Sequence, residues 1–234
     1  ELADLQQRLG AWADLAERHL QLEALWPLLR TPQAICAPTE TTQPQPRQPP
    51  VTVAIASDAA FHFRYPEASE LLEQQGVEVA AWSPLADQPL PPHCRGLVLP
   101  GGYPELHAAA LGQCHRSLAE LRRAHGAGLP IYAECGGLLL LGQTLADPHG
   151  TPHPMAGLLP FNASRGSLSL GYRDAEPAAD GLAVRRGERL CGHEFHRWQL
   201  QDTLADAAPL WQLEGWGSPR RPEGWSSPRL HASW

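Results

Sequence analysis

The sequence predicts an α/β fold, doubly wound around a mostly parallel sheet, with antiparallel strands added at the sheet edge. Three observations carry this. Short, continuously apolar runs recur from Val51 onward, as strands buried on both faces require. Segments with helical start and stop signals separate them, which is the pattern of parallel crossovers. After Pro154 the rhythm changes to strand-like stretches with turns, GSLSLGYRDAE and GLAVRRGERLCGHEFHRWQL, where antiparallel additions are expected.

Taken in order, residues 1–30 carry Leu or Trp at helical spacing and read as one or two amphipathic helices, broken near Gly10 or Leu20. The first residue is Glu1 and the helical periodicity starts at once, which predicts a chain cut from a longer one. Residues 31–50, rich in Pro, Thr and Gln, read as a linker. The remaining residues, 51–234, hold the α/β pattern. VTVAIA (51–56) is the first strand, and PEASELLEQQG (66–76) is a helix with proline near its start and glycine at its end. VEVAAW (77–82) and GLVLP (96–100) are strands. A helix is predicted over 104–128, with Leu118 and Leu121 on one face. LPIYA (129–133) is a fourth strand and GGLLLLGQTL (136–145) the helix after it. EGWGSPRRP (214–222) and EGWSSPRLH (223–231) are near copies; two copies are too few for a repeat architecture, so they read as a duplicated Pro/Gly/Trp loop.

Composition narrows the function. A formal net charge of −7 with no basic stripe argues against a nucleic-acid partner. No apolar run reaches the ~18–20 residues of a membrane span. Five cysteines at irregular spacing (Cys36, Cys94, Cys114, Cys135, Cys191) with no CxxC pair argue against a disulfide framework and a structural zinc site, so no metal is expected and a reducing, cytoplasmic setting is the default.

The chemistry centres on AECGG (133–137). Cys135 stands where a buried strand becomes a helix, at the sheet edge where open α/β folds collect ligands. Ala133, Gly136 and Gly137 complete a nucleophile-elbow pattern, small-x-nucleophile-Gly-Gly. A helix N-terminus there is expected to favour thiolate over thiol and to offer N–H donors to an oxyanion. A cysteine ending a strand is ordinarily a small buried hydrophobe; the flanking glycines weigh against that reading. LPGGYPE (99–105) is a second sharp turn at the same edge, where the Gly102 or Tyr103 N–H would complete an oxyanion hole with that of Gly136. In GHEFH (192–196), strand alternation sets His193 and Phe195 on one face and Glu194 and His196 on the other, so the two histidines do not share a metal. One of them could activate Cys135, or the strand could simply shape a pocket. Glu134 is open between contact with substrate and a structural pairing.

VAIASDAAFHFRYPEASELLEQQGVEVAAWSPLAD, LVLPGGYPELHAAAL, GLPIYAECGGLLLLG, MAGLLP and GHEFHRWQL together resemble the glutamine amidotransferase domain of cobyrinic acid a,c-diamide synthases, over most of 51–200. The resemblance implies a flavodoxin-like, class I glutamine amidotransferase. Cys135 would be the nucleophile toward glutamine. Ammonia would pass to an N-terminal ATP-dependent synthetase domain whose helical tail is residues 1–30. ATP and magnesium would act there, activating the a and c carboxylates of cobyrinic or hydrogenobyrinic acid, and this chain itself would need no cofactor. A catalytically silent docking module, or an amidotransferase serving cobyric acid or a cell-wall precursor, are the alternatives. The resemblance also places the activating histidine after a Ser-aromatic pair near the C-terminus. HASW (231–234) looks like the start of that segment, so the base is expected beyond Trp234.

Overall fold

The computed structural model describes residues 2–29, 51–201 and 208–234. The expected linker, 31–50, lies outside the described residues. The chain divides into two units, 1–43 and 44–234. In the first, α1 (Leu2–His19) runs unbroken through Gly10 and ends before Leu20, followed by α2 (Leu22–Leu25) and a 3-10 turn, Trp26–Leu29. Leu5, Leu9, Trp12 and Leu15 are exposed along α1.

In the second unit, β1 (Val51–Ala56), β2 (Val77–Trp82), β3 (Cys94–Leu99), β4 (Ile131–Glu134) and β12 (Leu230–Ser233) are parallel and β11 (Trp225–Ser227) closes the edge antiparallel, in the order β11-β12-β4-β3-β1-β2. β1 and β2 keep the predicted bounds. The face carrying Ala54, Leu97, Ile131, Ala133, Leu230 and Ala232 is buried in the main core with Leu118, Leu121 and Leu138 to Leu141. α3 (Pro66–Gln74) joins β1 to β2, its proline at the first turn.

The helix expected over 104–128 is broken. It becomes a 3-10 turn (Pro104–His107), α4 (Ala108–Leu111) and α5 (His115–Gly126). The break falls at Gly112, whose bare Cα packs where a Cβ would lie 3.2 Å from the Pro154 ring. α6 (Gly136–Leu141) is also shorter than the expected 136–145. The chain leaves the helix at Gly142, where a Cβ would overlap the Phe161 ring, and Thr144–Ala146 become β5.

The two strand-like stretches predicted within 166–200 do not extend the main sheet, whose antiparallel edge strand is β11 instead. With β5 and β6 (Pro152–Pro154), they pair into a second sheet, order β10-β9-β7-β5-β6, with β8 also on β7. Here β7 is Asn162–Pro177, β8 Leu190–Gln201, β9 Trp211–Gly215 and β10 Ser218–Glu223. The duplicated segment is not a loop. Its first copy turns the β9–β10 hairpin of the second sheet and its second copy forms β11 and the first half of β12 of the first. The glycines at its turns, Gly217 and Gly224, have φ near +70°, which their lack of a Cβ permits.

Candidate active site

β4 delivers Cys135 to the carboxyl edge of the parallel sheet. Its backbone has φ 51° and ψ −110°, a left-handed conformation disfavoured for any residue with a Cβ. The surrounding backbone holds it there. The Cys135 N–H donates to the Ser233 carbonyl at 2.9 Å, tying the elbow to the end of β12. Gly136 fits against the second turn because a Cβ there would come 2.9 Å from both the Gly102 nitrogen and Pro104 Cδ. At Gly137 a Cβ would overlap the Leu99 carbonyl. The two predicted turns therefore interlock through bare Cα atoms.

The backbone N–H groups of Gly136 and Gly102 lie near the Cys135 sulfur and act to favour its thiolate. Of the two donors considered in the second turn, Gly102 is the one that acts on the sulfur; Tyr103 instead presents its ring at the mouth, 4.9 Å from Phe63 in an edge-on contact. Phe63 is fixed by its N–H, which donates to the Gly101 carbonyl at 3.1 Å. The expected thiolate preference is reversed. Burial pushes the Cys135 thiol up to about 11, with the charges of Glu134 and Glu105 adding to it, against the lowering by the two N–H donors. The short α6 does not offset burial.

A cavity of 240 Å³ opens on Cys135, walled by Tyr103, Glu105, Leu139, His196, Trp198 and Trp234 among others. A neighbouring space of 470 Å³ is bordered by Cys135, Glu134, His193, His196 and Trp234. All three pocket candidates thus lie in walls near the thiol, in different states. Glu134 is exposed and accepts the Tyr132 hydroxyl at 2.9 Å. His193 is exposed and packs against the rings of Tyr172 and Phe195. His196 is buried, with Nδ1 2.7 Å from the Trp198 carbonyl and Nε2 2.9 Å from Glu194 Oε1. Alternation along β8 is as predicted. Among the described residues neither histidine is hydrogen-bonded to Cys135, and His196 has both nitrogens engaged.

The profile of the CobB/CobQ-like glutamine amidotransferase domain matches residues 52–232. The chain belongs to this family. It is 41% identical to the cobyrinate a,c-diamide synthase of Gloeobacter violaceus over 222 residues, covering 92% of this chain and 48% of that protein. It is 40% identical to the hydrogenobyrinate a,c-diamide synthase of Mesorhizobium japonicum, also over 222 residues, covering 94% and 49%. The chain thus spans about half the length of these curated relatives. A crystal structure of a glutamine amidotransferase superposes with a TM-score of 0.52 at 17% identity, covering 77% of this chain and 87% of that one. The PurLQS structure from Thermotoga maritima gives 0.52 at 16%, covering 70% and 74%. These two likenesses bear on the fold, which is that of class I glutamine amidotransferases.

Several residues of this amidotransferase site escaped the sequence reading. Trp234 and Trp198 wall the cavity, and buried Glu105 reaches it from the second turn, its carboxyl raised by burial. Glu194 is the centre of an ion network. Burial works to raise its carboxyl, but His196, Arg221 and Arg173 outweigh that and hold it at about 2. The one available signal was GHEFH itself, whose acid and second histidine fall on the same strand face. Among the described residues no helix is long and apolar enough to cross a membrane, which leaves β-barrels unaddressed. Among the same residues no group of three His, Cys, Asp or Glu side chains could hold a metal ion.

Proposed function

We propose that this chain is the glutamine-hydrolysing part of a cobyrinate or hydrogenobyrinate a,c-diamide synthase, feeding ammonia to the ATP-dependent amidation of the a and c carboxylates. The observation that carries the reading is the strained Cys135 elbow with its sulfur under two main-chain N–H donors. Attack of the thiolate on the glutamine side-chain amide would form a tetrahedral oxyanion. Donors of the Gly102 and Gly136 type stabilise such a charge before it forms, since they need no reorganisation. The base that took the thiol proton gives it to the leaving nitrogen, so that collapse breaks the C–N bond and releases ammonia, leaving a glutamyl thioester. Water then hydrolyses the thioester to glutamate and the free thiol.

A half-buried thiol raised to about 11 needs a base to become a nucleophile at neutral pH. His196 has both ring nitrogens within hydrogen-bond distance of oxygens other than the thiol's partner groups and makes no hydrogen bond to Cys135. This reading takes the base from chain following Trp234, because β12 brings that residue to the rim of the Cys135 cavity. ATP and magnesium are assigned to the half of the relatives' length that this chain does not span, and the setting is taken as cytoplasmic.

The test is alkylation of Cys135 by a glutamine-derived chloroketone, mapped by mass spectrometry, in the full-length natural protein and in residues 1–234 alone. Labelling in the former and slow labelling in the latter is expected. Absence of labelling in the full-length protein would sink the catalytic reading. Equal, fast labelling of residues 1–234 would sink the placement of the base. Stepwise amidation of cobyrinic acid by the full-length protein with ATP and glutamine tests the acceptor.

A further inference from the structure

We infer that His196 and Glu194 are positioning residues that clamp Trp234 as a wall of the Cys135 cavity, His196 as a stacked cation and Glu194 as its counter-ion. The inference rests on the amidotransferase reading of Cys135.

The His196 and Trp234 rings lie face to face, centroids 3.7 Å apart and planes within 2°. Two neutral aromatic rings disfavour such a sandwich and prefer an offset or edge-on contact. A cation over an indole face is attracted to it. The hydrogen bonds independently point to the cation. Both ring nitrogens of His196 face oxygen acceptors, the Trp198 carbonyl and the Glu194 carboxylate, and neutral imidazole has only one N–H to give.

Glu194 has its own reason to stay fixed. It also accepts Arg173 Nε and an Arg221 guanidinium nitrogen, each at 2.7 Å, so β7, β8 and β10 all converge on one buried carboxylate. Trp234 is held a second time, its backbone N–H donating to Glu223 Oε1 at 3.1 Å from the end of β10. The residue just before it, Ser233, carries the carbonyl that binds the Cys135 N–H. The second sheet therefore grips the last strand of the first at the point where it reaches the thiol. Trp234 borders both spaces that open on Cys135, so the clamp sets their width. A loosened clamp should impair recognition of glutamine and leave the thiol's intrinsic reactivity alone.

The experiment compares wild type, His196→Gln, His196→Arg and Glu194→Gln in the full-length natural protein. The readouts are KI and kinact for the glutamine-derived chloroketone at Cys135, the iodoacetamide rate, and Tm. Glutamine at 196 keeps hydrogen bonding but no charge. Arginine keeps a planar cation that stacks on indole and bonds carboxylate. The expected result is a KI raised roughly tenfold in His196→Gln and Glu194→Gln, with kinact and the iodoacetamide rate within about twofold, and recovery in His196→Arg. A wild-type KI in a folded His196→Gln protein, or no recovery with arginine, overturns the clamp while leaving the Cys135 reading intact. Absence of chloroketone labelling in wild type overturns the Cys135 reading and the clamp with it. Should the variants fail to fold, the ring-proton NMR shifts of His196 in wild type decide. Upfield displacement by the indole supports the stack, and unshifted resonances overturn it.

Discussion

On the parallel sheet, the groups that meet the Cys135 sulfur are the main-chain N–H donors of Gly102 and Gly136. On the second sheet, the groups bordering the same cavity belong to a buried ion network around Glu194. The first arrangement needs close backbone approach and tolerates no Cβ at Gly136 or Gly137. The second needs desolvated charges that satisfy one another, and its stability therefore depends on every member being present. One cavity is thus fixed on one side by sterics and on the other by electrostatics, and the two sides should fail differently.

Removing the electrostatic side should have the largest effect on stability. Glu194→Ala leaves Arg173, 9% exposed, without its carboxylate, and a cost of about 3–5 kcal/mol is expected in chemical denaturation. The same site gives a pH signature. Because the folded Glu194 pKa lies near 2, below the ordinary glutamate value, its stabilisation is complete above that ordinary value. It is lost as pH falls toward 2. Glu194→Gln should therefore flatten the acid limb of stability against pH. If that limb is unchanged, the network is not the electrostatic support described.

Next comes the steric side. Gly136→Ala pushes a methyl group against the Gly102 nitrogen and Pro104, displacing a donor from the sulfur. Glutaminase kcat in the full-length natural protein should fall by about 10²–10³, and the acid limb of stability against pH should stay as in wild type, unlike in Glu194→Gln. An active Gly136→Ala enzyme would break the comparison, since the backbone cradle would then be dispensable.

The smallest effect is expected at Glu223, which is as buried as Glu194 but has the opposite ionisation. Burial pushes its carboxyl up to about 8, against lowering by the Trp234 N–H and Arg221. The folded state holds its proton while the unfolded state has lost it, so stability declines as pH rises between those two pKa values. Glu223→Gln keeps an acceptor for Trp234 and removes that penalty. Its Tm should exceed wild type by a few degrees, roughly one kcal/mol or more, at pH 8 and match it near pH 4. A Tm gain that does not grow with pH would show that Glu223 is ionised in the folded protein.

The parallel half was readable because its signals are local. Val51–Ala56 and Val77–Trp82 are bounded by their own turn residues, and the AECGG and PGGYPE turns carry their glycines in sequence. The second sheet was legible as strands but not as a separate sheet. Pairings such as Thr144 with Asn162 and Arg173 with Glu194 join residues far apart, and nothing near either partner announces the other. For the same reason Cys135 was found, while Trp234 was read only as the start of a segment and its role as a wall was missed. The thiol's ionisation was misjudged because the sequence reveals the helix start but not the depth of burial that outweighs it.

Gly224 alone separates β10 of the second sheet from β11 of the first. Its Cα is so closely packed that a Cβ would lie 2.7 Å from the Ala232 carbonyl. The two strands are thus joined by the shortest possible link, closely packed on the strand it serves. Any load borne by the outer hairpin passes through one closely packed residue into β11, whose partner β12 is the strand beside the thiol, so a disturbance on that hairpin is mechanically a disturbance two strands from the elbow.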